Sequence, residues 1–129
     1  NPLSMYSAKN ILKSIEEEIL IDYEYLNEIG DYFRRNLNDY FQLYNIKKRV
    51  IGSGAINRIL HTDKFVRNRK DRDNLEDKNQ DEFYEKLLEN GVFVNGNRIF
   101  HLSMCHSMKI MKKIIKKICE VCNAWLRFS

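Results

Sequence analysis

Apolar residues recur along the first third of the chain at helical spacing. Leu12, Ile15 and Ile19 lead into Leu26, Ile29, Phe33, Leu37 and Phe41, in steps of three, four and seven, the pattern of an amphipathic helix lying on a sheet. Asn1-Pro2 makes a good opening for it, a capping side chain followed by a ring that presets φ. The spacing therefore predicts one long helix, or two abutting ones, through Asn45. Gly30 interrupts the pattern and costs about 1 kcal/mol relative to alanine, which marks a bend or a close approach. After it the period shortens: Lys48 to Ile51 and Ile56 to His61 read as two strands around Gly52-Ser53-Gly54.

The same logic organises the second half. Phe83, Leu87 and Leu88 fall on one helical face and stop at Asn90-Gly91, a pair suited to ending a helix in the left-handed conformation. Two short apolar runs then flank Asn95-Gly96, a strong hairpin signal. Ser107 is placed to cap a last helix whose stripe runs Ile110, Ile114, Ile118, Val121 and Trp125. The expected fold is α/β (α+β): a small antiparallel sheet with a long N-terminal helix and two further helices packed on it, all within one domain over residues 1–129.

Composition narrows the picture only modestly. With 43% hydrophobic and 12% aromatic residues, the chain has the makings of a folded, not a disordered, protein. It contains no apolar run of the roughly 18 residues needed to span a bilayer, so no membrane role is expected. The net charge of +4, from 22 basic and 18 acidic residues, suits a cytoplasmic protein and demands no nucleic-acid partner. In residues 64–79, Asp71, Asp73, Glu76 and Asp77 offset Lys64, Arg67, Arg69, Lys70 and Arg72, with Phe65 alone available for stacking; this reads as a solvated loop. Lys109, Lys112, Lys113, Lys116 and Lys117 oppose the apolar stripe of the last helix and read as its solvated face.

Chemistry-bearing residues are sparse. Gly52-Ser53-Gly54 precedes a strand, whereas a phosphate-cradling loop opens a helix. Cys105, Cys119 and Cys122 form no disulfide framework and point to a reducing compartment. Adjacent Cys105 and His106 cannot both turn to Cys119 and Cys122 from a strand, so no metal site is expected. The absence of an initiator methionine gives Asn1 the look of a fragment's start.

The ordered motifs carry a resemblance. Asn1-Pro2-Leu3-Ser4-Met5 before a long helix, Gly52-Ser53-Gly54, Thr62-Asp63, Val66-Arg67-Asn68, then Gly91-Val92-Phe93 and Leu102-Ser103-Met104-Cys105-His106 before a closing helix, resemble in order the C-terminal small domain of class-III, pyridoxal-phosphate-dependent aminotransferases. Within that family the arrangement resembles that of the glutamate-1-semialdehyde aminomutase branch. The resemblance implies a fragment of an aminotransferase or aminomutase whose large domain, with the Schiff-base lysine and the phosphate-binding residues, lies ahead of the Asn-Pro-Leu segment. No catalytic, cofactor-binding or metal-binding residue is then expected here, and the chain alone is expected to be inert. It also implies pyridoxal phosphate in the parent enzyme, contact with that enzyme's large domain, and a homodimer. The residues it would set beside substrate are Asn95, Asn97 and Arg98, at the tip after Val94. The aminomutase branch has a Pro-Ser pair and then a glutamate there, so Arg98 is a departure, either clamping a substrate carboxylate or sitting in solvent. The other class of function is a non-enzymatic interaction module that binds a protein partner or nucleic acid.

Overall fold

The computed structural model describes residues 1–17, 22–73, 75 and 80–126. Ile19, Glu76, Asp77 and the side chain of Trp125, which entered the reading above, lie outside what it describes. In chain order the elements are α1 (Pro2–Glu16), α2 (Tyr23–Leu43), β1 (Arg49–Ser53), β2 (Ile56–Leu60), α3 (Arg69–Asp73), α4 (Gln80–Glu89), β3 (Phe100–His101) and α5 (Met108–Leu126). The mixed α/β class is as expected, with a three-stranded antiparallel sheet in the order β1-β2-β3.

Two abutting helices, and not one, occupy the first third. The Asn1 side chain accepts from the Leu3 N–H at 3.0 Å and Pro2 opens α1. A second cap then restarts the chain: Asp22 Oδ1 accepts from the Tyr25 N–H at 2.8 Å, satisfying a donor that the first turn of α2 leaves without a helical partner. The two helices differ sharply in burial. Helix α1 buries none of its side chains, whereas α2 buries Ile29, Gly30, Phe33, Leu37 and Phe41.

Around that α2 face the core closes with Val50 and Ile59 of the hairpin, Phe83 and Leu87 of α4, Val92, Phe100 and Leu102, and Met111, Ile118, Val121 and Cys122 of α5. The buried stripe of α5 thus runs through Met111 and not Ile110, which remains 41% exposed. Cys122 is buried and Cys119 packs at the core edge, as small core residues do.

Hairpin β1–β2 has the expected bounds to within two residues, paired from Arg49↔Leu60 to Ser53↔Ile56. Gly30 marks a close approach to its turn, since a Cβ at Gly30 would stand 1.9 Å from the Gly54 carbonyl oxygen. Arg34 braces the same contact, donating to the Gly54 carbonyl at 3.0 Å and to Asn57 Oδ1 at 2.5 Å. Strand β1 is a sheet edge, and Asn38 of α2 seals it. Its Oδ1 accepts from the Val50 N–H at 2.8 Å and its Nδ2 donates to the Val50 carbonyl at 3.1 Å, replacing the strand neighbour that an edge lacks.

A second hairpin at Asn95-Gly96 does not form. The turn is there, but residues 92–95 are not a strand; β3 pairs instead with β2, through Ile56↔His101 and Asn57↔Phe100. The long-range partner wins because Phe100 fits the core beside Phe33, with ring centroids 5.3 Å apart. Upstream of the turn, α4 ends as its sequence predicts. Gly91 has φ 76°, and the N–H groups of Gly91 and Val92 donate to the Leu88 and Leu87 carbonyls at 2.9 and 2.8 Å, a Schellman closure. Lys117 of α5 adds a charge-assisted donor, its Nζ 2.7 Å from the Asn90 carbonyl.

Candidate functional site

The three residues expected beside substrate all lie in the turn after Val94. The Arg98 N–H donates to the Asn95 carbonyl at 2.8 Å and the Asn97 N–H to Asn95 Oδ1 at 3.2 Å. Asn95 therefore builds the turn with its own side chain. Arg98 closes it at φ 58°, in the left-handed region that non-glycine residues enter at some cost.

Arg98 is bound to the domain. Its Nη2 pairs with Asp81 Oδ1 of α4, and its guanidinium carbon lies 6.0 Å from the centroid of the Tyr84 ring. The Tyr84 hydroxyl reaches the Arg98 carbonyl at 3.2 Å and the Ile59 carbonyl at 3.3 Å. Asp81 and Tyr84, three apart on α4, therefore fix the turn from one helical face. Sequence reasoning missed both, although their spacing beside Phe83 is a readable signal.

Behind this brace lies a polar pair, a buried lysine and a half-buried histidine. Lys48 Nζ stands 2.9 Å from His61 Nε2 and 4.4 Å from the Phe83 ring centroid. The His61 ring packs edge-on against Phe83, with centroids 5.2 Å apart. Burial, then the charges of Lys48 and Arg98, pull the His61 pKa down to about 3. The imidazole is neutral near pH 7 and its ring nitrogens face an ammonium donor.

A groove of about 170 Å³ borders the turn, with Phe93, Val94, Asn95, Ile99 and His101 among its walls. It is chiefly apolar, and Phe93 at its rim is 78% exposed. A larger groove of about 420 Å³ opens where α2 meets β1, lined by Asn38, Gln42, Asn45, Lys47, Arg49 and Asp63, among others. The Leu102–His106 segment serves structure. His106 Nδ1 accepts from the Ser103 N–H at 2.9 Å, and the Tyr25 hydroxyl donates to the His106 carbonyl at 3.0 Å.

The described residues do not make a pyridoxal-phosphate site. Lys48, the one buried lysine among the described residues, is turned to His61 and the Phe83 ring. Gly52-Ser53-Gly54 opens no helix, so it has no helix N-terminus with which to hold a phosphate. Among the described residues no three His, Cys, Asp or Glu side chains are grouped to hold a metal ion, and no helix is long and apolar enough to cross a membrane.

Two solved structures share this arrangement. An omega-transaminase from Sphaerobacter thermophilus superimposes with a TM-score of 0.67 at 14% identity, over 78% of this chain and 24% of its own. A beta-phenylalanine aminotransferase from Variovorax paradoxus gives 0.70 at 16% identity, over 77% and 23%. The fold is thus one found within aminotransferases. Sequence similarity points the same way and more narrowly. Glutamate-1-semialdehyde 2,1-aminomutase 2 of Lachnoclostridium phytofermentans is 31% identical over 94 residues, 73% of this chain and 22% of that protein. The glutamate-1-semialdehyde 2,1-aminomutase of Methanosphaera stadtmanae is 26% identical over 120 residues, 92% and 28%. No protein-family model matches. The chain is a relative of the class-III pyridoxal-phosphate-dependent aminotransferases, the family that its motifs resemble. Its sequence matches are to the glutamate-1-semialdehyde aminomutases, and it spans about a quarter of the length of these relatives.

Proposed function

We propose that the chain is the C-terminal small domain of a pyridoxal-phosphate-dependent aminotransferase or aminomutase, and that the turn from Asn95 to Arg98 forms part of the wall facing substrate. The observation that carries this reading is kinship of sequence and of fold with proteins of one enzyme family, each matched over about a quarter of its length. The large domain of the parent enzyme, and a second subunit, would cover the apolar side chains that α1 leaves in solvent, among them Leu3, Met5, Tyr6 and Leu12.

In this reading the chain contributes geometry. Asn95 and Asn97 offer amides at the turn, and the groove beside Phe93 and Val94 favours an apolar substrate group. Arg98, held by Asp81 and Tyr84, acts as a positioning residue for that turn in place of a carboxylate clamp. The parent is cytoplasmic in this proposal, and its Schiff-base lysine lies outside this chain.

The test is an absorbance spectrum of the full-length parent enzyme purified with pyridoxal phosphate. The expected result is a band near about 420 nm, the region of lysine Schiff bases of this cofactor, which borohydride traps covalently. Retention of no cofactor would overturn the enzyme reading. In the active parent, Asn95→Ala is expected to raise KM more than it lowers kcat; equal kinetics in the variant would remove the turn from the site.

A further inference from the structure

The hairpin has a second face. Asn57, Ile59, Val50 and Phe100 point into the core, so the alternate positions Arg49, Ile51, Ile56, Arg58, Leu60 and His101 share the opposite side, where Leu60 is covered and Ile56 is open to solvent. The pairs Arg49↔Leu60 and Ile51↔Arg58 make the two arginines diagonal neighbours, about 7–8 Å apart at their backbones. The segment after β2 brings up Phe65, 70% exposed. Its ring centroid lies 5.4 Å from the Arg49 guanidinium carbon and 5.8 Å from that of Arg67.

These three arginines contrast with four others on the chain. Arg34, Arg69, Arg72 and Arg98 each pair with an aspartate. Arg49, Arg58 and Arg67 form no ion pair among the described residues, and Arg49 reaches only a backbone carbonyl, that of Asp63 at 3.3 Å. The Nε atoms of Arg49 and Arg58 are shielded from water without meeting an acceptor. Like charges held at this spacing repel, and a buried donor left unmet is costly. Among the described residues the face lacks a paired counter-charge.

We propose that the outward face of the sheet docks an acidic polypeptide segment whose carboxylates are flanked by apolar side chains. Charge complementarity selects carboxylates, since a guanidinium swung to one can satisfy Nε and an Nη together. The apolar component follows from Phe65 and Ile56, the latter 56% exposed, which a free anion or a phosphate backbone would leave in water. Arginine and aromatic side chains are the ones enriched in protein interfaces. Neither groove described above includes Arg58 or Phe65, which suits a segment laid across a surface better than a small molecule in a cavity. Arg49 and Arg58 are half-buried already, so docking immobilises little additional side-chain freedom. The inference does not depend on the enzyme reading.

The probe is a short fluorescent peptide alternating Glu and Leu, titrated against the 129-residue chain by anisotropy. Its controls are a matched Gln-Leu peptide and a single-stranded oligothymidine. The expected result is about tenfold tighter binding of the Glu peptide than of the Gln peptide, a difference of about 1.4 kcal/mol, weakening as salt rises. The Arg49→Gln, Arg58→Gln double variant should lose about tenfold in affinity. Lys112→Gln with Lys116→Gln removes the same charge from α5 and should change it little. Arg58→Lys keeps the charge but loses the paired Nε and Nη donors and should bind between the parent chain and the double variant, with melting curves confirming that each variant folds. Absent or equal binding of the two peptides, equal losses in both double variants, or tighter binding of oligothymidine would overturn the proposal. So would dimerisation of the chain that the arginine variants abolish, because it would assign the face to a second copy.

Discussion

The Gly54 carbonyl oxygen occupies the space that a side chain at Gly30 would need. A Cβ there would stand 1.9 Å from it and 3.2 Å from Arg34 Nη1. By helix propensity alone, Gly30→Ala should stabilise α2 by about 1 kcal/mol. The backbone clash reverses the sign, because neither a helix nor a paired hairpin turn yields cheaply. The expected result is a net destabilisation of about 1–3 kcal/mol, read from the denaturant midpoint. A stabilised variant would show that α2 and the hairpin do not touch here.

Asn38 supplies both hydrogen bonds that Val50 lacks at the sheet edge. In Asn38→Ala the Val50 N–H and carbonyl lose their partners, at a cost of about 1–3 kcal/mol. Amide exchange at Val50 should accelerate well beyond that at the cross-strand-bonded Ile51. Unchanged exchange at Val50 would count against the seal.

Acid should weaken the fold through His61. Its pKa in the folded chain is pulled to about 3, against an ordinary value near 6.5, so the unfolded chain takes up the proton first. Stability is therefore complete above about pH 6.5 and falls as pH drops toward 3, by up to about 1.4 kcal/mol per pH unit. Between about pH 6.5 and 5 few carboxylates titrate, and His61→Gln should flatten the slope in that window. A variant as acid-sensitive as the parent chain would place the effect elsewhere.

The thiols should separate by rate. Cys105 is exposed, whereas burial pushes Cys119 up to about 11 and Cys122 up to about 12, leaving little thiolate at neutral pH. A disulfide reagent should titrate Cys105 quickly in the native chain, and the other two only on unfolding. Fast reaction at Cys122 would mean that α5 is not packed as described.

Much of this architecture was legible in the sequence because its signals are local. The caps at Asn1 and Gly91, the α2 stripe and the first hairpin each depend on residues within a few positions. What stayed hidden depends on distant partners. Asn95-Gly96 does turn the chain, but Phe100 pairs with Asn57 on β2, and no local pattern announces that. The apolar period carries through Ile19 to Leu26, so the division before Asp22 was open until its cap was seen. At the candidate site, Asn95, Asn97 and Arg98 are named by the resemblance alone. Arg98 looked free to clamp or to float, because Asp81 and Tyr84 lie 17 and 14 residues away and meet it only through the fold.

Helix α1 has 15 residues and buries none of them, and a lone helix of that length is marginal in water. Its unfolding is thus thermodynamically decoupled from the melting of Phe33, Phe83 and their neighbours. Far-ultraviolet ellipticity should decline gradually before the core gives way, while aromatic signals change in one sharp step. Treating the whole chain as a single cooperative unit would then understate the enthalpy of the part that is one.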